Sequence, residues 1–281
     1  MAAQGAVIVI SSHVACGSVG NRAMTFALER LGFTVWAVPT VLLPHHPGHG
    51  PAERIVPDDH QFDALLKTLI RDERDGQVAG IVSGYLASAG QARAVAALVE
   101  AVKVLRPDAL YLLDPVIGDS GGPYVADDIA EAMRKHLLPL ADAATPNAFE
   151  CVWLAGHDAP GEPDLAALAR GLAPETVLVT SAPALVRGHI GNLLVSGGET
   201  VLLEHPMIET PIKGTGDLLA ALLFARRLEG RPWWEAAELA LSSVFEVLAG
   251  SAKAGAGELM LAPLQAALVE PRARITARRL G

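Results

Sequence analysis

The chain has 281 residues, with 22 basic and 31 acidic side chains for a net charge of −9; 51% of its residues are hydrophobic, 5% are aromatic, and the mean hydropathy is +0.33. This composition excludes a disordered chain, which combines low hydrophobicity with high charge, and the acidic balance argues against a nucleic-acid binder, which needs basic surface. Two cysteines, Cys16 and Cys151, make neither a disulfide framework nor a metal cluster. The start, Met1 to Gly5, has no basic leader region, and no stretch reaches the ~18 apolar residues of a spanning helix. The expectation is a cytoplasmic protein with neither a membrane nor a nucleic acid among its partners.

Short apolar runs alternate with longer helical patterns. Ala6–Ile10 is continuously apolar, as expected of a strand buried on both faces. A polar turn, Ser11 to Asn21, leads to a helix over Arg22–Leu31 that Gly32 stops. Thr34–Val41 reads as a strand, Phe62–Ile70 as a helix, Gly80–Ser83 as a short buried strand, and Gln91–Leu105 as a helix ended by Pro107. Leu110–Leu113 is a strand closing on Asp114-Pro115. Asp127–Leu138 is a helix with two acids in its first turn, where the macrodipole favours them. Thr176–Val179 is a strand. Leu193–Val195 and Thr200–Leu203 flank Ser196-Gly-Gly-Glu199, a hairpin signal. Leu218–Leu228, Trp233–Ala249 and Pro263–Leu268 read as helices, and the basic tail Arg272–Arg279 as a solvated end. Strand–helix alternation implies an α/β protein, with a mostly parallel sheet covered by helices on both faces and an antiparallel edge from the late hairpin. In such sheets ligands bind beyond the carboxyl ends of the strands.

Gly214-Thr215-Gly216-Asp217 opens an apolar helix, where glycines allow a bulky anion close to the unpaired first N–H groups. Asp217 repels phosphate, so it makes sense as a base facing a hydroxyl; the ordinary alternative is a first-turn or capping acid. Asp114 and Asp119, spaced by Pro115 and Gly118, suit Mg2+, which prefers few carboxylates, retained waters and substrate phosphates; a capped Asp-Pro turn is the alternative. Gly118, Gly121, Gly122 and Tyr124 form a Gly-rich stretch suited to a lid. Thr145, Asn147 and Glu150 sit where a strand meets a helix, placed either to orient metal-bound water or phosphate or simply to cap. Thr180 and Ser181 follow a strand as two hydroxyls within reach of a phosphate. Ser12 ends the first strand, and Tyr85 could cover an aromatic ligand. With no Walker A, no Ser/His/Asp signature and no GxGxxG, the combination points to phosphoryl transfer from a nucleotide held by dispersed loops.

These segments, in order from Ser12-His-Val-Ala-Cys-Gly-Ser-Val-Gly-Asn-Arg22 through Ser83-Gly-Tyr85, Asp114 to Asp119, Tyr124-Val125, Thr145 to Glu150, Thr180-Ser181 and Gly214 to Asp217, resemble the pyridoxal kinases of the ribokinase-like superfamily. The Gly-Thr-Gly-Asp sequence marks only the superfamily; Ser-His-Val, Val-Gly-Asn and Ser-Gly-Tyr are more specific. The resemblance spans nearly the whole chain and implies one three-layer α/β/α ribokinase-like domain over residues 1–281. It implies ATP as co-substrate, Mg2+ with a monovalent cation (K+ or Na+), a small-molecule alcohol as substrate, and a homodimer. It makes Asp217 the base, with Gly214, Thr215 and Gly216 in the anion hole. Ser12, Val19, Val41, His46 and Tyr85 would bind the substrate, and Asp114, Asn147, Glu150, Thr180, Ser181, Thr215 and Gly216 the ATP. Asp119, Asp114, Thr145 and Glu150 would surround the metal. The substrate loop Leu42 to Pro47 keeps His46 but has Leu43 and Pro47 where the family has an aromatic and a threonine, and Lys213 replaces a common valine. These departures bear on which alcohol is taken. A hydroxymethylpyrimidine or other small-alcohol kinase, and a silent pyridoxal binder, are the competing expectations.

Overall fold

The computed structural model describes residues 4–71, 77–157 and 163–280; the first three residues of the expected leaderless start lie outside them. In chain order the elements are β1 (Gln4–Val14), α1 (Asn21–Arg30), β2 (Phe33–Leu43), α2 (Asp59–Arg71), β3 (Val78–Ser83), α3 (Ala89–Leu105), β4 (Leu110–Leu113), β5 (Gly118–Asp119), β6 (Gly122–Pro123), α4 (Asp127–Ala132), β7 (Ala143–Ala144), α5 (Ala148–Leu154), α6 (Leu165–Gly171), β8 (Thr176–Ala182), β9 (His189–Ser196), β10 (Glu199–Pro206), α7 (Thr215–Leu228), α8 (Trp233–Lys253), α9 (Ala266–Val269) and β11 (Thr276–Leu280).

Nine strands form one sheet in the order β11-β10-β9-β8-β7-β4-β3-β1-β2, and β5 pairs with β6 in a separate small ribbon. The six strands from β2 to β8 are parallel, and β9, β10 and β11 continue antiparallel. The expected parallel sheet with an antiparallel edge is therefore present. β1 shows why its apolar run is unbroken. Val7 and Val9 enter the core shared with α1, α7 and α8, whereas Ile8 and Ile10 enter the core shared with α2, α3 and α4. A central strand has no solvent face, so both registers of its side chains are apolar. A third, smaller core joins α5 and α6 to β8, β9 and β10.

Several boundaries differ from the sequence reading. The tail taken as a solvated end forms β11, an edge strand whose five residues are all exposed and which pairs with β10 from Thr200↔Leu280 to Glu204↔Thr276. β1 runs through Ser12 and His13 to Val14, because pairing with β2 continues past the irregularity between Ser11 and His13. The helix read over Asp127–Leu138 is α-helical only to Ala132; a π turn over Met133–Leu137 and a 3₁₀ turn over Leu138–Leu140 follow, the latter with Pro139 in its first turn. The last helix shrinks to Ala266–Val269, whose final carbonyls are held by the buried Arg226 guanidinium at 2.9 Å from Leu268 and 2.6 Å from Val269. Helix α5 is the one expected to begin near Asn147 and Glu150, whereas α6 has no counterpart among the expected elements. Among the described residues, no helix is long and apolar enough to cross a membrane.

The element that positions the site is α7. Leu218 through Arg226 are all buried, so the helix is enclosed on every side. It packs against β3 where Gly80 admits the Phe224 ring: a Cβ at Gly80 would stand 2.5 Å from Phe224 Cζ and 2.6 Å from the Leu110 carbonyl oxygen. Gly80→Ala is expected to cost about 1–3 kcal/mol of stability, since the ring can shift but the β4 backbone cannot. Urea unfolding would read this as a lowered midpoint with an unchanged slope.

Candidate active site

The carboxyl ends of β1, β3, β4 and β8 and the amino end of α7 converge. Gly214 caps α7 in the left-handed region (φ 92°) with no side-chain cap. The first helical bond runs from Leu218 N–H to the Gly214 carbonyl at 3.0 Å. The N–H groups of Thr215, Gly216 and Asp217 therefore lie in the first turn, at the positive end of the dipole. A Cβ at Gly216 would meet no atom within 4 Å, so the space above that turn is open. A Cβ at Gly214, by contrast, would stand 2.4 Å from the Ser18 carbonyl oxygen. Glycine is needed here both for its dihedral and for the close approach of the loop after β1.

Asp217 is partly exposed and lies in that first turn. Burial pushes its carboxyl up to about 6, against a hydrogen bond from the Gly20 backbone that lowers it. Gly20 abuts Ser12 from the other side, where a Cβ would fall 2.2 Å from the Ser12 carbonyl and 2.5 Å from its Oγ. Ser12 and Asp217 thus flank one glycine. Tyr85 joins them through its amide, which donates to Ser11 Oγ at 3.3 Å, while its carbonyl accepts from Thr40 Oγ1 at 2.8 Å beside Val41. Ser12, His46 and Tyr85 are partly exposed; Val19 and Val41 are buried and offer a wall rather than a contact surface. His46 Nδ1 accepts from Gly48 N–H at 2.9 Å, which leaves Nε2 for a ligand. Burial and the Lys213 charge lower its pKa.

Three carboxyl groups gather at the centre. Asp114 is buried and its pKa is pushed well above the ordinary range, first by desolvation, then by the charges of Glu150 and Asp217; Thr145 Oγ1 donates to its Oδ1 at 2.8 Å. Glu150 is pushed up to about 7 by burial. Its Oε1 accepts from Ile117 N–H at 2.9 Å and Gly118 N–H at 3.3 Å, and its Oε2 from Asn147 N–H at 2.8 Å. Asn147 completes a capping box at the start of α5, and its Nδ2 donates to the Gly118 carbonyl at 2.7 Å. Glu150 and Asn147, expected at phosphate and metal, therefore also brace the β5–β6 ribbon against α5.

Asp119, expected at the metal, is less buried. It accepts from the Tyr124 hydroxyl and from Gly121 N–H at 2.7 Å, and these bonds with the Lys213 charge lower its pKa. Gly118, Gly121, Gly122 and Tyr124 lie together on or beside the β5–β6 ribbon, with Tyr124 exposed. Thr180 and Ser181 form a bulge in β8, where Thr180 N–H reaches the Pro146 carbonyl at 2.9 Å beside Asn147. Ser181 is the one non-glycine at positive φ (55°) among the described residues, a strained conformation of the kind found at ligand sites. It borders a largely apolar cavity of about 450 Å3, lined also by Ala148, Leu165, Pro183, Ile190 and Met207.

Among the described residues, no three His, Cys, Asp or Glu side chains are arranged to hold a metal by themselves. A Mg2+ ion carried on phosphates takes few protein carboxylates. The crowding of Asp114, Glu150 and Asp217 fits such a cation. One residue at this end has no sequence motif to mark it: Glu258, whose carboxylate reaches His49 and Ser18; Gly20 lies in the Val-Gly-Asn segment, which assigns it no role of its own.

A mostly parallel sheet between two helical layers, with a Gly-Thr-Gly-Asp helix start and buried carboxyl groups at its strand ends, is the arrangement of a small-molecule kinase of ribokinase-like fold. The phosphomethylpyrimidine kinase family model matches residues 55–262. Pyridoxal kinase PdxY of Rubrobacter xylanophilus is 36% identical over 98% of this chain and 97% of its own. The pyridoxine/pyridoxal/pyridoxamine kinase of Bordetella bronchiseptica is 38% identical over 91% and 93%. The structure of Leishmania donovani pyridoxal kinase in complex with ADP and pyridoxamine superposes with a TM-score of 0.90 at 29% identity, over 99% of this chain and 100% of that one. The chain belongs to the phosphomethylpyrimidine kinase family and, within it, to the pyridoxal kinases.

The raised pKa of Asp217 carries a stability consequence. A carboxyl moved from 3.8 to about 6 by folding favours the folded state below the lower value, and that contribution is lost as pH rises through the upper one. Asp217→Asn removes the cost of ionisation. At pH 8 the variant is expected to be more stable by about 1–2 kcal/mol, the shift at about 1.4 kcal/mol per unit reduced for partial exposure. Melting curves from pH 8 to pH 4 would show the gap closing.

Proposed function

We propose that this chain transfers the γ-phosphoryl group of ATP to the 5′-hydroxyl of pyridoxal, and of pyridoxine and pyridoxamine, in the cytoplasm, salvaging these alcohols as their phosphates. The whole chain acts as one kinase domain and, as the resemblance implies, as a homodimer. The observation that carries the reading is the meeting of Asp217 and Ser12 at Gly20, with the open first turn of α7 beside them. Relatives named for all three vitamers support it.

The roles follow from chemistry. Asp217 takes the hydroxyl proton; a carboxyl near 6 is largely ionised at neutral pH yet basic enough to accept it. The Thr215 and Gly216 N–H groups stabilise charge on the moving phosphoryl, where transfer depends mainly on position and electrostatics. Ser12 bonds the polar side of the ring, Tyr85 covers its face, Val19 and Val41 wall it, and His46 closes the rim. Asn147, Glu150, Thr180 and Ser181 follow the nucleotide, whose base suits the apolar cavity beside Ser181. Asp114 and Thr145, with Asp119 and Glu150 around them, would hold Mg2+, which supplies charge neutralisation at the phosphates; K+ or Na+ is the monovalent partner implied. The β5–β6 ribbon closes over the phosphates and excludes water.

Phosphomethylpyrimidine kinase is the second reading, favoured by the family model itself and by Pro47 and Lys213 at the rim. Assays with ATP and Mg2+ on pyridoxal, pyridoxine, pyridoxamine, hydroxymethylpyrimidine and ribose decide between them; preferential turnover of hydroxymethylpyrimidine would replace the first reading. Asp217→Ala is expected to lose on the order of 10²–10⁴ in kcat while retaining ATP binding by calorimetry. In the native enzyme kcat/KM is expected to fall as pH drops below about 6, because protonated Asp217 cannot accept the hydroxyl proton. A flat profile from pH 7 to pH 5 would remove Asp217 as the base.

A further inference from the structure

Glu258 sits in the turn after α8, and its backbone is well anchored. Leu259 and Leu261 beside it are buried, and Met260 N–H donates to the buried Ser251 hydroxyl at 2.9 Å. From this fixed base its carboxylate reaches two other loops. One oxygen lies 2.6 Å from His49 Nε2, in the 3₁₀ turn Pro47–His49 that His46 caps. The other accepts from Ser18 N–H at 3.2 Å. Gly17 (φ +117°) leaves the room needed: a Cβ there would lie 3.0 Å from the carboxylate. The two loops are also tied to each other, Ala15 N–H to the Leu43 carbonyl and Cys16 N–H to the Pro44 carbonyl, both at 2.8 Å.

The segment between these ties matters for the chemistry. The Ser18 carbonyl packs on Gly214, Val19 is a wall of the substrate site, and the Gly20 backbone bonds Asp217. Residues 17–20 are thus held on one side by Glu258 and on the other by the start of α7. The His49 arm holds the loop that carries His46. Among the described residues, the side-chain hydrogen bonds of Glu258 go to Ser18 and His49 and not to the side where Asn147, Thr180 and Ser181 lie.

We propose that Glu258 is a positioning residue for the alcohol substrate, fixing residues 17–20 and the 45–49 turn in one arrangement through Ser18 and His49. The proposal rests on the reading of the site given above. Each arm is a hydrogen bond to a charged group, stronger than a neutral one. Losing both loosens one wall and the rim of the alcohol pocket while the ATP side keeps its contacts.

The test compares Glu258→Ala, Glu258→Gln, His49→Ala and the Glu258→Ala/His49→Ala double variant in the full chain. Glu258→Ala is expected to raise the KM for pyridoxal roughly tenfold and leave the KM for ATP within about twofold. Glu258→Gln, which keeps one acceptor oxygen, falls between it and the native enzyme. His49→Ala, at an exposed position, has a smaller effect, and the double variant is no worse than Glu258→Ala alone because both act through one bond. Equal rises in both KM values, additive effects, or an unchanged pyridoxal KM would overturn the proposal. Amide hydrogen exchange gives a readout independent of substrate. In Glu258→Ala, or in His49→Ala should the former not fold, residues 15–20 and 44–50 are expected to exchange faster while α7 does not. If the native protein turns over none of the vitamers, the functional reading fails and the exchange data alone judge Glu258; unchanged exchange in both segments refutes it.

Discussion

Carboxyl groups held away from water are the constraint around which this fold is arranged. Asp114, Glu150 and Asp217 lie close enough to raise the charge cost at Asp114, and each is wholly or partly desolvated. Burying a carboxylate is costly unless its lone pairs are met. The chain meets them mostly with backbone N–H groups: three for Glu150, and Gly20 for Asp217, while Thr145 serves Asp114. Backbone donors are rigid and carry no side-chain entropy, but they must come close. This explains glycine at 20 and 118, where a Cβ would collide with Ser12 or with Gly122 and Pro123. The same bonds connect elements far apart in sequence, so the chemistry of the cleft and the cohesion of its loops share their contacts.

What the sequence revealed follows a physical line. A strand buried on both faces declares itself because every side chain must be apolar, as in Ala6–Ile10; the run from Leu218 reads as an apolar helix, and its full enclosure, with Arg226 buried, is seen only in the structure. Gly-Thr-Gly-Asp was legible because an anion seat at a helix start needs its residues contiguous. β11 was not, because an edge strand held by backbone pairing, with Arg278 beside Glu204 at 3.4 Å and Arg279 beside Glu199 at 3.6 Å, leaves only a basic stretch in the sequence. Asn147 and Glu150 show a half-legible case. Their spacing suggests a capping box, which is present, but the bonds from Glu150 to Ile117 and Gly118 cross 33 and 32 residues. Glu258 lies 209 residues from His49 and 240 from Ser18. Nothing local marks it except one acid in a small-residue turn.

The site also separates rigid from adaptable parts. Asp217 stands on α7, whose residues Leu218–Arg226 are buried throughout. A proton acceptor and an anion seat work best when their geometry is fixed before the substrate arrives. The rim is different. The 45–49 turn, the β5–β6 ribbon with exposed Tyr124, and Lys213 project from loops, and the Lys213 charge is felt on both sides of the cleft, by His46 and by Asp119. A cation between the 45–49 turn and the β5–β6 ribbon favours an approaching anion, such as the ATP phosphates of the proposed reaction.

This division bears on the rim positions at which the resemblance implies a departure. Pro47, which has neither a hydroxyl nor an N–H donor, and the charged Lys213 stand at the rim, where the resemblance implies a threonine and a valine, and neither lies among the hydrogen bonds that place Asp217, Asp114 or Glu150. Changing the rim alters which ring is welcomed at little cost to the fold, because exposed positions have neighbours that can adjust. Changing the centre leaves a buried polar group unmet and, on the proposed mechanism, removes a catalytic group as well. A site built this way can change the ring it admits at its rim while the groups at its centre stay put.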